Sequence, residues 1–545
     1  MSAASKVAGR VNPAPGAARH GLILLAVAAL LAFGALLSAA CAARDLPLSS
    51  GHAPELDGGV GWLNSERPLR LKELKGKVVL LDFWTFCCIN CMHVIPDLKR
   101  LEAKYPGELV VIGVHSAKFD NEKETANIRE AILRYGVEHP VINDADFAIW
   151  RAYSVNAWPT LILIDPEGKV AGRYAGEGHY EELDSAIAAL VDRFGKAGKL
   201  NRQPLNLRLE KSRVADRPLS FPGKIAGDPA TGRLFIADSG HNRIVVANLS
   251  GKILDVIGSG KQGATDGSFA RSCFHHPQGL ALKDGKLYVA DTENHTIRLV
   301  DFDTRTVKTV AGTGRQGEAP GGAGIALKTA LSSPWDIVQA GDRLYIAMAG
   351  YHQLWVYDPA KNRIGPYAGS GQEDIVDGPL ASAALAQPSG ITTDGTRLYF
   401  ADSEVSAVRS AGLGPGATVN TLVGRGLFAF GDVDGKLATA RLQHPLGIFS
   451  FNGRLYVADS YNHKIKIVDP LTGTIRTFLG IGKAGLADGK PGRLAEPGGL
   501  TILNGNLYIA DTNNHAVRVA NILSGELKTL GLKGFPRAIP ESKER

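Results

Sequence analysis

Three of the five cysteines in this chain fall within five residues of one another: Cys87, Cys88 and Cys91. Cys88 and Cys91 are separated by two residues, a spacing that places two sulfurs about one turn apart on a helix. At that distance one thiol attacks a partner's disulfide and the other releases the resulting mixed disulfide. The other cysteines, Cys41 and Cys273, are far away, so the set is not a structural disulfide framework. The clustering predicts thiol chemistry.

The segment around the cysteines alternates between strand and helix patterns. The run 77–84 is almost wholly apolar and predicts a buried central strand, and the helix after the cysteines has an apolar face. Further strands are expected at 109–114 and 160–164, and further helices near 122–135, 147–153 and 183–194. The alternation predicts an α/β three-layer sandwich over residues 59–196.

A strand followed directly by a helix positions the cysteines for reaction. Cys88 is expected at the helix N-terminus, where unpaired backbone N–H groups and the positive end of the helix dipole stabilise a thiolate. Cys91 is expected one turn further on, within reach of a sulfur bonded to Cys88.

Residues 82–91, DFWTFCCINC, resemble the active site of the thioredoxin superfamily, and within it the TlpA-like and DipZ-like branch. The resemblance implies that Cys88 is the nucleophile and Cys91 the resolving cysteine. It implies that Asp82 assists proton transfer at the resolving thiol and that Trp84 packs below the site. It also implies that Pro159 is the cis-proline whose loop docks the substrate backbone.

Two departures from that family bear on the chemistry. Ile89 and Asn90 stand where thioredoxin has Gly-Pro, and these middle residues tune the redox potential, so the direction of electron flow stays open. Cys87 replaces an aromatic residue. It either forms a vicinal disulfide or regulates the site, or it is only a half-buried small side chain.

A second pattern fills the C-terminal part of the chain. A strand of the type Leu-Tyr-Val-Ala-Asp recurs at 234–238, 287–291, 344–348, 398–402, 455–459 and 507–511. Six units of four short strands predict an all-β six-bladed propeller over residues 217–535. The unit resembles the NHL repeat. Residues 205–209 alternate as a strand would and are expected to complete the last blade.

Asp and His recur once per unit, as in Asp459 and His463. We interpret them as hydrogen-bonding residues that tie each blade's turns, because residues repeated in every blade usually stabilise the repeat. Loops between blades carry Asp-Gly pairs such as Asp266-Gly267, and these loops are expected to crowd the face that binds a ligand of unknown identity.

The N-terminus predicts a position outside the cytoplasm. A basic stretch precedes an apolar run of 20 residues that ends just before Cys41. The run is long enough to span a bilayer, and Cys41 also suits a lipoprotein signal, so anchor, lipidation and cleavage stay open. We expect a bacterial cell-membrane protein whose body faces the periplasm. The predicted parts are a basic tail 1–20, an anchor or signal 21–41, a linker 42–58, a thioredoxin-like domain 59–196, a linker 197–216, a propeller 217–535 and a polar tail 536–545.

The whole chain resembles NHL-repeat-containing thioredoxin-domain proteins. That resemblance implies an extracytoplasmic thiol–disulfide oxidoreductase whose propeller is a partner-binding scaffold. Its expected partners are protein thiols and disulfides and a membrane redox donor or acceptor. The net charge of +7 is dispersed, so no nucleic acid is expected, and neither is a cofactor or a metal. The alternatives are a non-enzymatic scaffold with an incidental cysteine pair and a thiol peroxidase.

Overall fold

The computed structural model describes residues 51–215, 217–318 and 321–535. A thioredoxin-like domain and a six-bladed propeller follow one another within a single compact unit that begins at Ala53. The expected anchor or signal at 21–41 and the polar tail at 536–545 lie outside the described residues. Among the helices that are described, none combines the length and the apolar character needed to cross a bilayer.

The first domain is built on one mixed sheet of six strands. Its spatial order is β1-β4-β3-β2-β5-β6, with β2, β3 and β4 parallel to one another. The strands are β1 (Gly61–Leu63), β2 (Val78–Trp84), β3 (Leu109–His115), β4 (Val141–Asn143), β5 (Thr160–Ile164) and β6 (Val170–Ala175). The helices are α1 (Ile89–Lys104), α2 (Thr125–Tyr135), α3 (Ala148–Ala152) and α4 (Tyr180–Lys196).

Strand β2 lies in the middle of this sheet and is buried along its whole length. Val78 and Leu80 pack against α1 and α4, whereas Leu81 and Phe83 pack on the opposite face against α3. Helices therefore cover both faces, which explains why the strand is apolar at successive positions rather than at alternate ones. The α/β three-layer prediction is confirmed.

Six four-stranded antiparallel units form the propeller, and the first strand of each contacts the first strand of the next. Short outer strands extend blades two to five at Gly267–Ser268, Gly324–Ile325, Gly378–Pro379 and Gly435–Lys436. The main strands are Pro222–Asp228, Arg233–Asp238, Arg243–Asn248 and Ile253–Ile257 (blade one); Pro277–Lys283, Lys286–Asp291, Thr296–Asp301 and Thr306–Ala311 (blade two); Pro334–Ala340, Arg343–Met348, Gln353–Asp358 and Arg363–Ala368 (blade three); Pro388–Thr393, Arg397–Asp402, Ala407–Gly412 and Thr418–Val423 (blade four); Gly447–Phe451, Arg454–Asp459, Lys464–Asp469 and Thr474–Leu479 (blade five); and Pro497–Leu503, Asn506–Asp511, Ala516–Asn521 and Leu527–Thr529 (blade six).

The ring closes through contacts between blade six and blade one. Thr512 Oγ1 donates to the carbonyl of Pro222 at 2.8 Å. After the last strand the chain returns to blade one, where the N–H of Ile253 donates to the carbonyl of Lys533 at 2.9 Å. The expectation that residues 205–209 complete the last blade is wrong. That segment forms no strand, and Leu205 packs instead against the apolar core of the thioredoxin-like domain.

The repeated Asp and His residues serve two different connections. Asp459 accepts from the N–H of Gln443 within its own blade at 2.8 Å. His463 Nδ1 instead accepts from the N–H of Glu496, which opens the next blade, at 3.1 Å. The expectation of ties within one blade therefore holds for the aspartate, whereas the histidine links neighbouring blades. Burial lowers the pKa of His463, which favours the neutral ring that this acceptor role requires.

Candidate active site

The two cysteines of the predicted redox pair occupy different environments. Cys88 occupies the N-cap position of α1, where its side chain is half-buried and makes no capping hydrogen bond. Cys91 lies in the first turn of α1 and is 1% exposed. Among the described residues, Cys87, Cys88, Cys91 and Cys273 are all free thiols. The more accessible sulfur therefore precedes the buried one by a single turn.

Asp82 lies on β2 next to Cys91. The carboxyl is 2% exposed and its Oδ1 has no hydrogen-bond partner among the described residues. Burial raises the pKa of Asp82 to about 7. Burial also raises the pKa of Cys91 well above its ordinary value, and the neighbouring Cys88 and Asp82 add to this. Near neutral pH, Asp82 is therefore able to exchange a proton with its surroundings.

The other residues predicted from the sequence surround the same apolar cluster. Trp84 is 1% exposed and packs with Cys91, and its ring meets the edge of His115 at 5.1 Å between centroids. The Trp158–Pro159 peptide bond is cis. Trp158 packs against the cluster that Cys88 also contacts. The structure thus brings the segment before β5 to the helix that carries the cysteines.

Glu122, which the sequence analysis did not identify, holds the turn that precedes α1. Its carboxylate accepts from the N–H of Cys87 at 2.8 Å and from Thr85 Oγ1 at 2.7 Å. It also accepts from the N–H groups of Lys118 and Phe119, each at 3.0 Å. No sequence signal marks Glu122, because the turn that carries it becomes adjacent to the cysteines only in the folded sheet.

Cys87 is more deeply buried than the half-buried side chain that we expected from the sequence. It is 0% exposed, and burial raises its pKa well above the ordinary value, with Glu122 adding to the effect. Its sulfur lies 3.9 Å from Thr85 Oγ1. A vicinal disulfide with Cys88 is not formed, and the thiol is an interior side chain of the active-site turn.

A residue from the propeller completes this turn. The Nε2 of Gln387 donates to the carbonyl of Cys87 at 2.8 Å, and the N–H of Ile89 donates to Gln387 Oε1 at 2.8 Å. The two backbone groups flank Cys88. Gln387 is 1% exposed, so these hydrogen bonds are shielded from water. The propeller therefore contributes directly to the conformation of the turn that carries Cys87 and Cys88 before α1.

Gln387 belongs to a set that we call the pre-proline ring. Each member precedes the proline that follows the inter-blade loop, and each has a positive φ between 44° and 61°. The members are Phe221, His276, Ser333, Gln387, His444 and Glu496. The backbone is the same in every blade, but the six side chains are of five different types. Repeats thus fix where these residues lie, and the individual side chains determine what they bind.

Most members of the pre-proline ring contact the thioredoxin-like domain. Ser333 Oγ lies 2.8 Å from His93 Nε2 on α1, and Glu496 Oε1 accepts from Asn121 Nδ2 at 2.9 Å. The ring of His444 packs on Phe119 with centroids 5.3 Å apart. A cavity of about 490 Å³ lies between the pre-proline ring and α1. Its wall includes Ile89, the residue directly after Cys88.

Comparisons with known proteins agree with these two domains. Residues 76–170 match the family model described as Thioredoxin-like, and residues 274–298 and 494–520 match NHL repeat. Over 125 residues the chain is 33% identical to Thiol-disulfide oxidoreductase ResA of Bacillus thuringiensis (strain Al Hakam), covering 23% of this chain and 70% of that protein.

Two relatives match along nearly the whole chain. Protein SUPPRESSOR OF QUENCHING 1, chloroplastic, of Arabidopsis thaliana is 47% identical over 516 residues, which cover 90% of this chain and 49% of that protein. NHL repeat-containing protein 2 of Bos taurus is 44% identical over 521 residues, which cover 89% of this chain and 71% of that protein. The chain thus spans about half the length of the Arabidopsis relative. With both domains matched in this order, the chain belongs to the family of NHL repeat-containing protein 2.

Proposed function

We propose that the protein is a thiol–disulfide oxidoreductase in which Cys88 is the nucleophile and Cys91 the resolving cysteine. The observation that carries the proposal is the placement of a half-buried thiol at the N-terminus of α1 and of a fully buried thiol one turn later, beside Asp82. The similarity of the first domain to a thiol–disulfide oxidoreductase supports it.

The reaction proceeds in two exchanges. The Cys88 thiolate attacks one sulfur of a partner disulfide, a new S–S bond forms, and the second partner sulfur leaves as a thiolate that takes up a proton. The Cys91 thiolate then attacks the Cys88 sulfur and releases the other partner thiolate. The partner gains two electrons and two protons, and the protein is left with a Cys88–Cys91 disulfide. The reverse sequence oxidises a partner dithiol.

Asp82 has a defined task in the second exchange. Cys91 is protonated at neutral pH because burial raises its pKa, so its proton must leave before it attacks. The carboxylate of Asp82 is buried beside it and has a pKa of about 7, which suits a group that accepts a proton near neutrality.

The propeller is proposed to hold the active-site turn and to bind the partner protein, with a membrane redox protein as donor or acceptor. We place the reaction outside the cytoplasm because the N-terminal sequence joins a basic stretch to an apolar run of 20 residues. Protease added to spheroplasts, whose outer membrane has been opened, tests this placement. Degradation of the two domains is expected, and their survival in spheroplasts whose known periplasm-facing proteins are degraded would contradict it.

Reduction of a model disulfide protein, coupled to a chemical reductant, tests the chemistry. Cys88→Ser is expected to lower the rate by at least about 100-fold, because no other described thiol combines exposure with a helix N-terminus. Cys273→Ser is the matched control and is expected to keep the wild-type rate, since that thiol lies in a propeller loop beside Ser259. Wild-type activity in folded Cys88→Ser would overturn the proposal.

A further inference from the structure

Two imidazoles and one carboxylate converge in blade two. His275 Nε2 lies 2.7 Å from one carboxylate oxygen of Glu293, and His276 Nδ1 lies 2.5 Å from the other. The three donor atoms all lie within 4.8 Å of one another. Each side chain is partly buried, with exposures of 18%, 17% and 32%. All three residues line the cavity between the pre-proline ring and α1.

The trio is not a requirement of the blade fold. The equivalent three positions in the other blades hold different residues, namely Ser220, Phe221 and Gly240; Ser332, Ser333 and Gly350; Ala386, Gln387 and Glu404; Gln443, His444 and Tyr461; and Ala495, Glu496 and Asn513. None of these sets offers two imidazoles and a carboxylate. Two imidazoles and a carboxylate at these three positions are therefore particular to blade two among the six blades.

The backbone that carries the two imidazoles is fixed. The N–H of His275 donates to Asp291 Oδ1 at 2.8 Å, and the N–H of His276 donates to Asn242 Oδ1 at 3.0 Å. Because the two histidines are consecutive and both are anchored, their rings are held toward the same carboxylate. Preorganisation of this kind lowers the cost of assembling a ligand set.

Two imidazole nitrogens and a carboxylate suit a divalent transition metal better than Mg²⁺ or Ca²⁺, which prefer oxygen ligands. Zinc binds such His₂Glu sets at about 2.0–2.2 Å and leaves a fourth position open. A metal between the present donors would separate the contacting nitrogen and oxygen atoms to about 3 Å. Opening the contacts of 2.7 and 2.5 Å to that separation takes a shift of each side chain below about 1 Å. The cavity beside the trio provides space for a water molecule at the fourth position.

We propose that His275, His276 and Glu293 form a zinc-class metal site with three protein ligands and one open position facing the cavity. The bound ion would lie across the cavity from the Met92 and Pro96 face of α1, and the site is separate from the cysteine pair. The open position is available to water or to an oxygen donor of a molecule in the cavity.

Metal binding by the full chain carrying Cys88→Ser and Cys91→Ser tests the site without competition from the redox thiols. Equilibrium dialysis against Zn²⁺ is expected to give one bound ion per chain. Glu293→Gln or His275→Ala is expected to weaken binding by more than about 100-fold, since loss of a direct ligand should exceed the 10–100-fold typical of outer contacts. His179→Ala is the matched control, because His179 also pairs with a glutamate, Glu182, but lacks a second imidazole.

Co²⁺ titration of the double serine protein provides a readout that does not depend on the folding of variants at His275 or Glu293. The double serine protein is expected to show visible absorption bands of Co²⁺ bound by nitrogen and oxygen, without the near-ultraviolet charge-transfer band of a cobalt–thiolate bond. Failure of this protein to take up Zn²⁺ and Co²⁺ would overturn the proposal and leave the trio as a hydrogen-bonded cluster. Uptake that survives both Glu293→Gln and His275→Ala would overturn it as well.

Discussion

Asp82 and Cys91 share one buried pocket under the helix that carries the redox pair. A carboxylate without a hydrogen-bond partner for Oδ1 is costly in such a place, because burial disfavours its charged form. The same burial brings the pKa of Asp82 to about 7, where the carboxyl exchanges protons readily. Burying Asp82 therefore lowers the free energy of unfolding near neutral pH, where the proposed reaction uses Asp82 as a proton acceptor.

Asp82→Asn is predicted to raise the free energy of unfolding and to slow the resolution of the mixed disulfide. The pKa of Asp82 is raised on folding, so the wild type loses stability as pH rises from about 4 to about 7. The variant escapes that loss, and its free energy of unfolding should exceed the wild-type value at pH 8 by up to about 4 kcal/mol, with no gain at pH 4. Resolution of a mixed disulfide at Cys88 should slow by about 100-fold.

Denaturant unfolding at the two pH values and stopped-flow release of a bound partner measure these effects. Asp192→Asn is the matched control, because Asp192 belongs to the same domain but lies exposed on α4, where it pairs with Lys196. A stability gain that is equal at pH 4 and pH 8 would contradict the account of Asp82.

At the level of residues, the sequence identifies the groups that lie close together along the chain. Cys88, Cys91, Asp82 and Trp84 lie within ten positions, so apolar patterning predicts the strand end and helix start that they share. The roles of Asp82 and Trp84 are implied by the resemblance to the thioredoxin superfamily. Glu122 and Gln387 are absent from that set, because each reaches the cysteine turn through tertiary folding. A glutamine 300 residues away leaves no local pattern.

At the level of elements, patterning predicts β5 to the residue and the other long strands and helices closely. It misses β1, β4 and β6, which are short or partly exposed and lack a continuous apolar run. The alternation at 205–209 resembles a strand, but Leu205 points into the thioredoxin-like core through a segment without sheet pairing. Periodicity indicates which side chains are buried. It does not indicate which domain those side chains pack against.

Gln387→Ala is predicted to loosen the turn that carries the cysteines. The substitution leaves the carbonyl of Cys87 and the N–H of Ile89 without their partners in a buried interface. Each unsatisfied group costs about 1–3 kcal/mol, so the free energy of unfolding should fall by about 2 kcal/mol or more. Alkylation of the buried Cys87 should also become faster, because the propeller no longer holds its backbone.

Gln372→Ala is the matched control, since Gln372 is an exposed residue of the same blade region. Unfolding curves together with mass-spectrometric mapping of alkylated cysteines provide the measurement. If Gln387→Ala and Gln372→Ala behave alike in both, the propeller does not position the turn.

At the level of the whole molecule, the propeller is a closed circle of blades joined by side chains that accept hydrogen bonds from the next blade. His295, His352, His463 and His515 each accept at Nδ1 from the N–H that opens a neighbouring blade. Burial lowers the pKa of all four. Protonation removes the acceptor, so acid is expected to weaken the ring at several joints at once.

His463→Asn is predicted to reduce the acid sensitivity of the fold. In blade one, Asn242 already accepts the equivalent hydrogen bond from His276, so asparagine preserves the joint without a titratable group. The folded pKa of His463 is lowered, so its contribution to stability is present above pH 6.5 and is lost as pH falls below that value. The wild-type stability should therefore fall more steeply than that of the variant, by up to about 1.4 kcal/mol per pH unit.

Urea unfolding between pH 7.5 and pH 4.5 measures the two slopes, and His52→Asn, at an exposed position, is the matched control. Parallel curves for wild type and His463→Asn would contradict the neutral-acceptor role of the histidine.

In the proposed reaction an accessible thiol attacks and a buried thiol resolves. Trapping with Cys91→Ser tests this order, because the first exchange still forms the mixed disulfide at Cys88 and no resolving thiol remains to release it. After incubation with a disulfide-bonded model protein, peptide mapping by mass spectrometry is expected to find one partner per chain, bonded to Cys88 and released by dithiothreitol, and none in Cys88→Ser/Cys91→Ser. An adduct confined to Cys87 or Cys273, or no adduct in the folded Cys91→Ser protein, would contradict the account.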